Sequence, residues 1–304
     1  MQDLWVEKYR PKSVEEYVFK NNAHKKQVCQ WIADKSIPHL LLSGHAGIGK
    51  TSLAKLLIHQ LAISPMDVME INASRERGID IMRDNITNFI SMMPIGDYKV
   101  VLLDEADYLT GPAQATLRGV FEEFHEFSRF ILTCNQPHNL IPALHSRCHS
   151  IHFEKIDQTE FTARVATILL AENIKPDIDI LDTFVKATYP DLRKCINLLQ
   201  QNVQDGSLLS PTESNNTTTD WMIEMVELFK AGKIQKARRL LCGSIRPEEM
   251  ELVYRWLYDN IELFGDENQQ DSAIHIIKAA MVDHPIVIDP EINLASCLIR
   301  LANL

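Results

Sequence analysis

The sequence predicts an α/β fold, in which a parallel sheet with helices on both faces is followed by all-helical segments. Three observations lead to this prediction. Short β-like runs alternate with helical stretches through residue 153. Apolar residues recur at helical spacing from 157 to 202, and the pattern of residues 221–304 predicts further amphipathic helices. Strands that are separated by helices usually pair in parallel, and the helices then cover both faces of the sheet.

The predicted strands are short apolar runs, and the third of them contains four consecutive apolar residues. Because that run has no polar face, it suits a strand that is covered on both sides. The five predicted strands are His39–Ser43, Val68–Asn72, Val100–Asp104, Phe130–Asn135 and Ser150–Phe153.

The chain length of 304 residues allows two or three domains. We expect an α/β domain over 1–155, a helical domain over 156–206 and a second helical domain over 218–304. The polar stretch 204–220, which is rich in Ser, Thr and Asn, is the best linker candidate.

Composition excludes several classes of protein. The net charge of −10 argues against a generally basic nucleic-acid binder. Residues 1–156 carry 17 basic and 18 acidic side chains, whereas 157–304 carry 14 and 23, so any nucleic-acid contact should be local and in the first half.

The six cysteines are scattered, which predicts free thiols in a reducing cytosol rather than a zinc site. No apolar run approaches the ~18 residues of a membrane span, and no secretory signal is recognisable.

Residues 44–51 read Gly-His-Ala-Gly-Ile-Gly-Lys-Thr, which fits the P-loop pattern G-x-x-x-x-G-K-[ST]. An apolar run enters the loop and a helical run leaves it. The glycines allow backbone N–H groups to converge on a phosphate, and the helix start adds a positive dipole. A glycine-rich turn without chemical meaning is the alternative. The predicted nucleotide-binding residues are Gly44, His45, Ala46, Gly47, Ile48, Gly49, Lys50, Thr51 and Ser52.

Two carboxylates end the third predicted strand, where α/β sheets bind their ligands. Asp104 and the Thr51 hydroxyl are the predicted ligands of Mg²⁺, with Asp104 acting through water. Glu105 is placed to orient and deprotonate an attacking water, so the pair predicts hydrolysis of ATP as well as binding. The alternative is a solvated acidic turn after a core strand.

Three weaker candidates complete the predicted site. Asn135 at the end of the fourth strand would lie beside the P-loop, near the γ-phosphate or the attacking water. Arg147 precedes the fifth strand, and Arg193 opens a helix of the second predicted domain. Each arginine alone is more often a solvated surface charge. Together with the two nucleotide motifs, these residues resemble those of the AAA+ ATPases.

Further motifs narrow the resemblance to clamp-loader ATPases. The run Glu7-Lys8-Tyr9-Arg10-Pro11 looks like the adenine-side motif of clamp-loader subunits, and 70–83 is close to a stretch of replication factor C small subunits. The segments 190–194 and 291–295 are similar to the large subunit of T-even-type phage clamp loaders, which is the relative we favour. His45-Ala46 and Ile48 depart from the common loop residues, but the phosphate ligands there are backbone N–H groups.

This resemblance implies a defined assembly and set of partners. Such loaders are five-membered rings that use ATP binding to open a sliding clamp and engage primer–template DNA, and DNA-triggered hydrolysis releases them. The T-even arrangement has four copies of this chain and one different small subunit. It implies that 156–206 is a lid, that 218–304 is an oligomerisation collar, and that Arg147 acts in trans on a neighbour's nucleotide. Tyr9, Arg10 and Pro11 would contact the adenine side, and the location would be cytoplasmic, in the host if the chain is viral.

Two contact surfaces are expected in the first half of the chain. A locally basic segment predicts DNA contact through Arg75, Arg77, Arg83 and the helix start near Ile79, the alternative being a solvated helix face. The apolar stretch before the carboxylate strand predicts a clamp-facing surface, the alternative being core burial. Its predicted residues are Phe89, Met92, Met93 and Ile95.

Two other functions remain open. Another AAA+ DNA motor, such as a branch-migration helicase, would be distinguished by processive translocation. A nucleotide-gated scaffold would bind ATP without turnover, and Glu105 argues against it because scaffolds often lose that base.

Overall fold

A computed structural model describes residues 4–76, 81–175, 177–204, 206–209, 221–245 and 249–304, without the side chains of 81–83 and 244. The chain divides into two compact units. The first comprises Met1–Ile168 with Pro190–Asn197, and the second comprises Leu169–Tyr189 with Leu198–Leu304. The division into domains 1–155, 156–206 and 218–304 stays a prediction.

The first unit is built on a five-stranded parallel sheet of order β2-β3-β4-β1-β5. The predicted strands are confirmed to within two residues at either end. Their observed bounds are β1 Leu40–Gly44, β2 Val68–Asn72, β3 Lys99–Asp104, β4 Ser128–Cys134 and β5 His149–Phe153.

Helices cover both faces of this sheet, as predicted. Alternate residues of β1 point to opposite faces, with Leu41 in one apolar cluster and Leu40 and Leu42 in the other. The first cluster contains side chains of α4 Thr87–Ser91, α5 Gly111–Glu123 and α6 Pro142–His145. The second contains side chains of α2 Asn22–Ala33 and α3 Lys50–Gln60. Because both faces are covered, the middle residues of the central strands are mostly apolar.

A histidine is part of this apolar packing. The ring of His39 lies 4.8 Å from the Phe121 ring and 5.6 Å from the Phe130 ring, measured between centroids. Its Nδ1 accepts the backbone N–H of Phe130 at 3.1 Å, which requires that nitrogen to be unprotonated. Burial, reinforced by the charge of Arg129, lowers the pKa of His39 from 6.5 to about 4.

The first unit also contains shorter elements that position the site. Helix α1 Trp5–Lys8 precedes the sheet, and π-helical turns Ile81–Ile86 precede α4. Short 3₁₀ turns lie at Pro65–Asp67, Ala106–Tyr108 and Pro137–Asn139. Helix α7 Gln158–Ala171 runs to the boundary of the unit, and α9 Leu192–Gln201 begins in it.

The second unit is helical apart from a hairpin of β6 Val203–Gln204 and β7 Ser207–Leu208. Helix α8 Ile178–Thr188 belongs to it, because the Trp256 indole donates to the Lys186 carbonyl at 2.8 Å. An ion pair of 2.6 Å also joins Lys230 to Asp182. Its other helices are α10 Trp221–Lys230, α11 Ile234–Ser244, α12 Met250–Asp259, α13 Glu267–Asp283 and α14 Pro290–Leu301, with a 3₁₀ turn at Ile261–Phe264.

Two expectations from composition can be compared with this structure. The described residues include all six cysteines, and none of them is in a disulfide bond. None of the helices in the described part of the chain combines the length and apolar character needed to cross a bilayer. The short hairpin lies partly in the segment expected to be a linker, and most of that segment, 210–220, lies outside the described residues.

Candidate nucleotide-binding and hydrolysis site

The predicted P-loop joins the end of β1 to the start of α3. Gly49 caps the helix in the left-handed region, with φ 97° and ψ 11°. Gly47 is also left-handed, with φ 73°, and a Cβ there would collide with the Asp191 carboxylate. Glycine is required at both positions because side chains with a Cβ rarely adopt this conformation. The loop therefore exposes its backbone to a cavity of about 150 Å³ at the carboxyl edge of the sheet.

Lys50 is buried, and its ammonium group has three hydrogen-bond acceptors. Its Nζ donates to the carbonyls of Gly44 at 2.9 Å and His45 at 2.6 Å, and to Asn135 Oδ1 at 2.8 Å. Burial lowers the pKa of Lys50, and the nearby carboxylates of Asp104 and Asp107 oppose that shift. Phosphate oxygens can replace the two carbonyls as acceptors without moving the lysine away from Asn135.

The Asp104 carboxylate is held by two hydroxyl groups. Its Oδ1 accepts from Thr51 Oγ1 at 2.7 Å and from Thr133 Oγ1 in a second, shorter hydrogen bond. Mg²⁺ prefers hard oxygen ligands, and it commonly takes only one or two from protein beside phosphates and waters. The paired hydroxyl and carboxylate of Thr51 and Asp104 therefore fit this ion.

Glu105 has a strained backbone. Its φ of 58° and ψ of 43° lie in the left-handed region, which is uncommon for a residue with a Cβ. The conformation is held because its N–H donates to Thr133 Oγ1 at 3.1 Å and its carbonyl accepts from Tyr108 N at 3.0 Å. Strain of this kind is found most often at functional sites. The turn directs Glu105 to the same cavity as Lys50 and Thr51.

Asn135 is positioned by a carboxylate to which the sequence analysis assigned no role. Asp107 Oδ2 accepts the backbone N–H groups of Asn135 at 3.2 Å and Gln136 at 3.0 Å. The other oxygen of Asp107 is buried and has no hydrogen-bond partner. Its place as the second aspartate of the run Asp104-Glu105-Ala106-Asp107 was the signal that could have drawn attention to it.

The N-terminal segment also lines the cavity. Tyr9, Arg10 and Pro11 line it, as does Arg193 from the start of α9. Arg164 fixes this segment by donating to the Tyr9 carbonyl at 2.9 Å. No sequence motif marked Arg164, since it lies 155 residues from its partner.

Arg147 does not line this cavity. It forms an ion pair with Glu122 of α5 and donates to the Ala143 carbonyl at 2.8 Å. Its side chain is one-third exposed, with a relative accessibility of 32%. Within this single chain the guanidinium is thus held by a salt bridge in its own domain and is not simply a solvated surface charge.

The structure describes only some of the residues that were predicted to contact DNA and the clamp. Arg75 is exposed, whereas Arg77, Ile79 and the side chain of Arg83 lie outside what the structure describes. Of the predicted clamp residues, Phe89 is half-buried against the core. The other three are exposed, Met92 by 60%, Met93 by 85% and Ile95 by 68%.

Comparisons with known proteins agree with this site. Residues 40–155 match the family described as "ATPase family associated with various cellular activities (AAA)". The replication factor C small subunit of Methanococcus vannielii is 35% identical over 249 residues, which are 79% of each chain. That of Thermofilum pendens is 39% identical over 203 residues, which are 66% of this chain and 62% of the relative.

The chain is therefore an AAA ATPase, an ATP hydrolase. It belongs to the family of the replication factor C small subunits, which are clamp-loader ATPases.

Solved structures show likeness in fold alone. RuvB, the Holliday junction branch migration motor of Thermotoga maritima, is 19% identical, with a TM-score of 0.56 over 73% of each chain. The alanine variant of the same protein at its position 170 has a TM-score of 0.54 over 64% of each chain. This likeness confirms the AAA+ arrangement and says nothing about what this chain acts on.

Proposed function

We propose that this protein is an ATPase subunit of a sliding-clamp loader, in which ATP binding opens the clamp and engages primer–template DNA. Hydrolysis stimulated by DNA then releases the loaded clamp for processive replication. The observation that carries the proposal is the meeting of Lys50, Asp104 and Glu105 at one cavity, in a chain of the replication factor C family.

The phosphates are bound by the P-loop in this proposal. Backbone N–H groups from Gly44 to Ser52 and the Lys50 ammonium supply the positive charge. Thr51 and Asp104 would hold Mg²⁺, which neutralises phosphate charge when it is bound. Tyr9, Arg10 and Pro11 contact the adenine side in this proposal, which their place in the lining of the same cavity supports.

Glu105 is the proposed general base. It takes the proton of the attacking water, while the Asn135 amide orients the water or the γ-phosphate. Arg193 contributes positive charge at the outer phosphates from the start of α9, since it lines the cavity together with Lys50. Asp107 positions Asn135 through the backbone N–H of that residue.

Arg147 acts in trans on the nucleotide of a neighbouring subunit in this proposal, which requires it to leave Glu122. An arginine finger raises turnover by about 10³-fold or more in other NTPases. The test mixes Arg147→Ala chains with Lys50→Ala chains in the presence of the fifth subunit and DNA. A trans role predicts partial recovery, because some neighbours then pair an intact nucleotide site with an intact arginine. No recovery in rings whose mixed composition is verified by mass would leave Arg147 a structural residue.

DNA is contacted through Arg75, Arg77 and Arg83 and the helix start near Ile79. Phosphate contacts of this kind position a duplex without reading bases, and they weaken with salt. Replacing the three arginines by alanine should raise the DNA concentration needed for half-maximal stimulation and leave basal ATPase unchanged. Unaltered stimulation would remove this segment from the DNA interface.

The sliding clamp is contacted through Phe89, Met92, Met93 and Ile95. The exposure of the last three residues supports this, because methionines adapt well to a partner's apolar groove. Changing Met92 and Ile95 to Asp should abolish clamp binding in a chain that still binds ATP. Loss of ATP binding as well would point to a role of these residues in folding.

The finer identity is also proposed. We infer the large subunit of a T-even-type phage loader, in the host cytoplasm, with four copies beside one different subunit and with 156–206 and 218–304 as lid and collar. The support is the likeness of segments 190–194 and 291–295 to that subunit. Mass measurement of the complete complex tests the stoichiometry, and a ratio other than four to one would refute it.

One assay separates the proposed function from its alternatives. ATPase activity is measured with primer–template DNA alone, clamp alone and both, with Glu105→Gln as the control that binds without turnover. A clamp loader is stimulated most by both together. Processive translocation on DNA without the clamp would favour a branch-migration motor, and binding without turnover under every condition would favour a scaffold.

A further inference from the structure

Two buried charges lie at the amino edge of the sheet, which is the edge opposite to the nucleotide cavity. Asp67 immediately precedes β2 and Lys99 begins β3. The two strands are parallel neighbours with Val68 opposite Val100, so both charged residues lie at the same edge. Asp67 is 1% exposed and Lys99 is 4% exposed. Charged residues are buried this deeply only when they are paired or hydrogen-bonded.

Asp67 holds the turn that follows the apolar segment. Its carboxylate accepts the N–H of Ile95 at 2.9 Å and the N–H of Gly96 at 2.9 Å. Hydrogen bonds from N–H groups to a carboxylate are roughly twice as strong as those between neutral groups. The backbone at Ile95 is therefore fixed, although its side chain points into solvent.

Lys99 holds the other end of the same segment. Its Nζ donates to the Phe89 carbonyl in α4 at 2.8 Å and lies 4.3 Å from the centroid of the Phe89 ring. The half-buried ring of Phe89 thus serves as an anchor. Between these two fixed points the chain exposes Met92 and Met93. An exposed segment with both ends bound to buried charges loses little further freedom when a partner binds.

A fourth apolar side chain belongs to this surface. Met66 lies in the 3₁₀ turn Pro65–Asp67 and is 75% exposed. Because its neighbour Asp67 bonds to Ile95 and Gly96, the turn is tied directly to the apolar segment. The surface is therefore built from two parts of the chain. Met66 lies just before β2, and Met92, Met93 and Ile95 lie just after α4.

We propose that Asp67 and Lys99 are positioning residues for a clamp-facing surface formed by Met66, Met92, Met93 and Ile95. This inference rests on the proposed clamp-loader function, and its occupant is an apolar groove of the sliding clamp. Asp67 and Lys99 do not touch the clamp. They hold the backbone so that the four side chains are presented in one arrangement before the clamp arrives.

The experiment combines clamp affinity with hydrogen exchange. Asp67→Asn keeps the size of the side chain and one acceptor oxygen, but it removes the negative charge, so the N–H groups of Ile95 and Gly96 are left with weaker hydrogen bonds to a neutral acceptor. We expect faster exchange at the amides of Ile95 and Gly96, clamp binding weaker by roughly ten-fold and unchanged ATP affinity. Lys99→Met, which removes the anchor at Phe89, is the second variant and should weaken clamp binding in the same way if Asp67→Asn fails to fold.

A double-mutant cycle distinguishes positioning from a general loss of structure. The contact variant carries alanine at Met92, Met93 and Ile95, and Met66→Ala is made separately and should weaken clamp binding. In the background of the contact variant, Asp67→Asn should have little further effect, because the side chains that it positions are absent. An equal loss in both backgrounds would overturn the positioning role.

Two further outcomes separate this inference from the proposed function. Unchanged clamp binding in the contact variant would overturn the clamp contact itself, and this inference with it. Weakened binding in the contact variant, together with unchanged binding in Asp67→Asn and Lys99→Met, would overturn the positioning role alone. Met66→Ala with full clamp affinity would remove Met66 from the surface.

Discussion

Glu105 combines the proposed role of general base with a backbone conformation that favours glycine. Its φ of 58° and ψ of 43° are left-handed, which costs a residue with a Cβ about 1–2 kcal/mol. Glu105→Ala and Glu105→Gly both remove the carboxylate, but only glycine relieves the backbone. The difference in stability between the two variants therefore reports the backbone strain separately from the loss of the carboxylate.

The expected difference follows from two opposing contributions. Relief of the left-handed conformation favours glycine by about 1–2 kcal/mol, and the greater freedom of glycine in the unfolded chain offsets about 0.5–1 kcal/mol of that. Glu105→Gly should thus be more stable than Glu105→Ala by up to about 1.5 kcal/mol. The hydrogen bond from the N–H of residue 105 to Thr133 is available in both. Glu105→Gln keeps the strain and should match the parent in stability.

Urea unfolding followed by tryptophan fluorescence measures the difference, because Trp31 lies in the core of the same unit. The comparison is valid where the two variants share the same slope against urea. ATP turnover should be lost in all three variants, while ATP binding is kept. An alanine variant more stable than the glycine variant would refute the strain, and turnover in Glu105→Gln would refute the role as base.

Three other changes test the site and the core. Lys50→Ala should abolish ATP binding measured by equilibrium titration, because it removes the charge on the phosphates; retained affinity would contradict this role. Thr133→Val leaves the N–H of Glu105 without its acceptor, so it should lower the free energy of unfolding in urea by about 1–3 kcal/mol and reduce turnover. Unchanged turnover would show that this hydroxyl does not position Glu105. Burial lowers the pKa of His39 from 6.5 to about 4, so the unfolded chain binds a proton first as the pH falls below 6.5. Stability should fall by about 2 kcal/mol from this residue between pH 7 and 5, and His39→Asn, whose amide oxygen can still accept from Phe130, should flatten that slope; equal slopes in both proteins would contradict the assignment.

The strands were predictable because the sheet is covered on both faces. A run of apolar residues is sufficient to identify such a strand, and all five predicted runs are strands. Two of the boundary errors fall where polar residues begin a strand. Lys99 and Ser128 start β3 and β4 and are buried, although neither fits an apolar run. Their polar groups are satisfied by hydrogen bonds to carbonyls of Phe89 and Phe124, which no pattern in the sequence reveals.

The site was predictable as a set of motifs but not as a geometry. The order β2-β3-β4-β1-β5 places β4 between the strand of the P-loop and the strand of Asp104. Thr133 at the end of β4 therefore reaches both Asp104 and the N–H of Glu105. No motif in the sequence singles out Thr133, because the order of strands in a sheet does not follow from their order in the chain. Arg164 was missed for the same reason, since its contact with Tyr9 depends on the fold.

Polar residues at the two edges of the sheet differ in how well their hydrogen bonds and backbone conformations are satisfied. At the amino edge, Asp67 and Lys99 have hydrogen-bond partners, so that edge is suited to holding a fixed surface. At the carboxyl edge, Glu105 is strained and one oxygen of Asp107 has no partner. Groups that cost folding free energy persist where the surrounding structure imposes them, and such places are most often functional. The contrast supports chemistry at the carboxyl edge and presentation to a partner at the amino edge, with the same strands connecting the two.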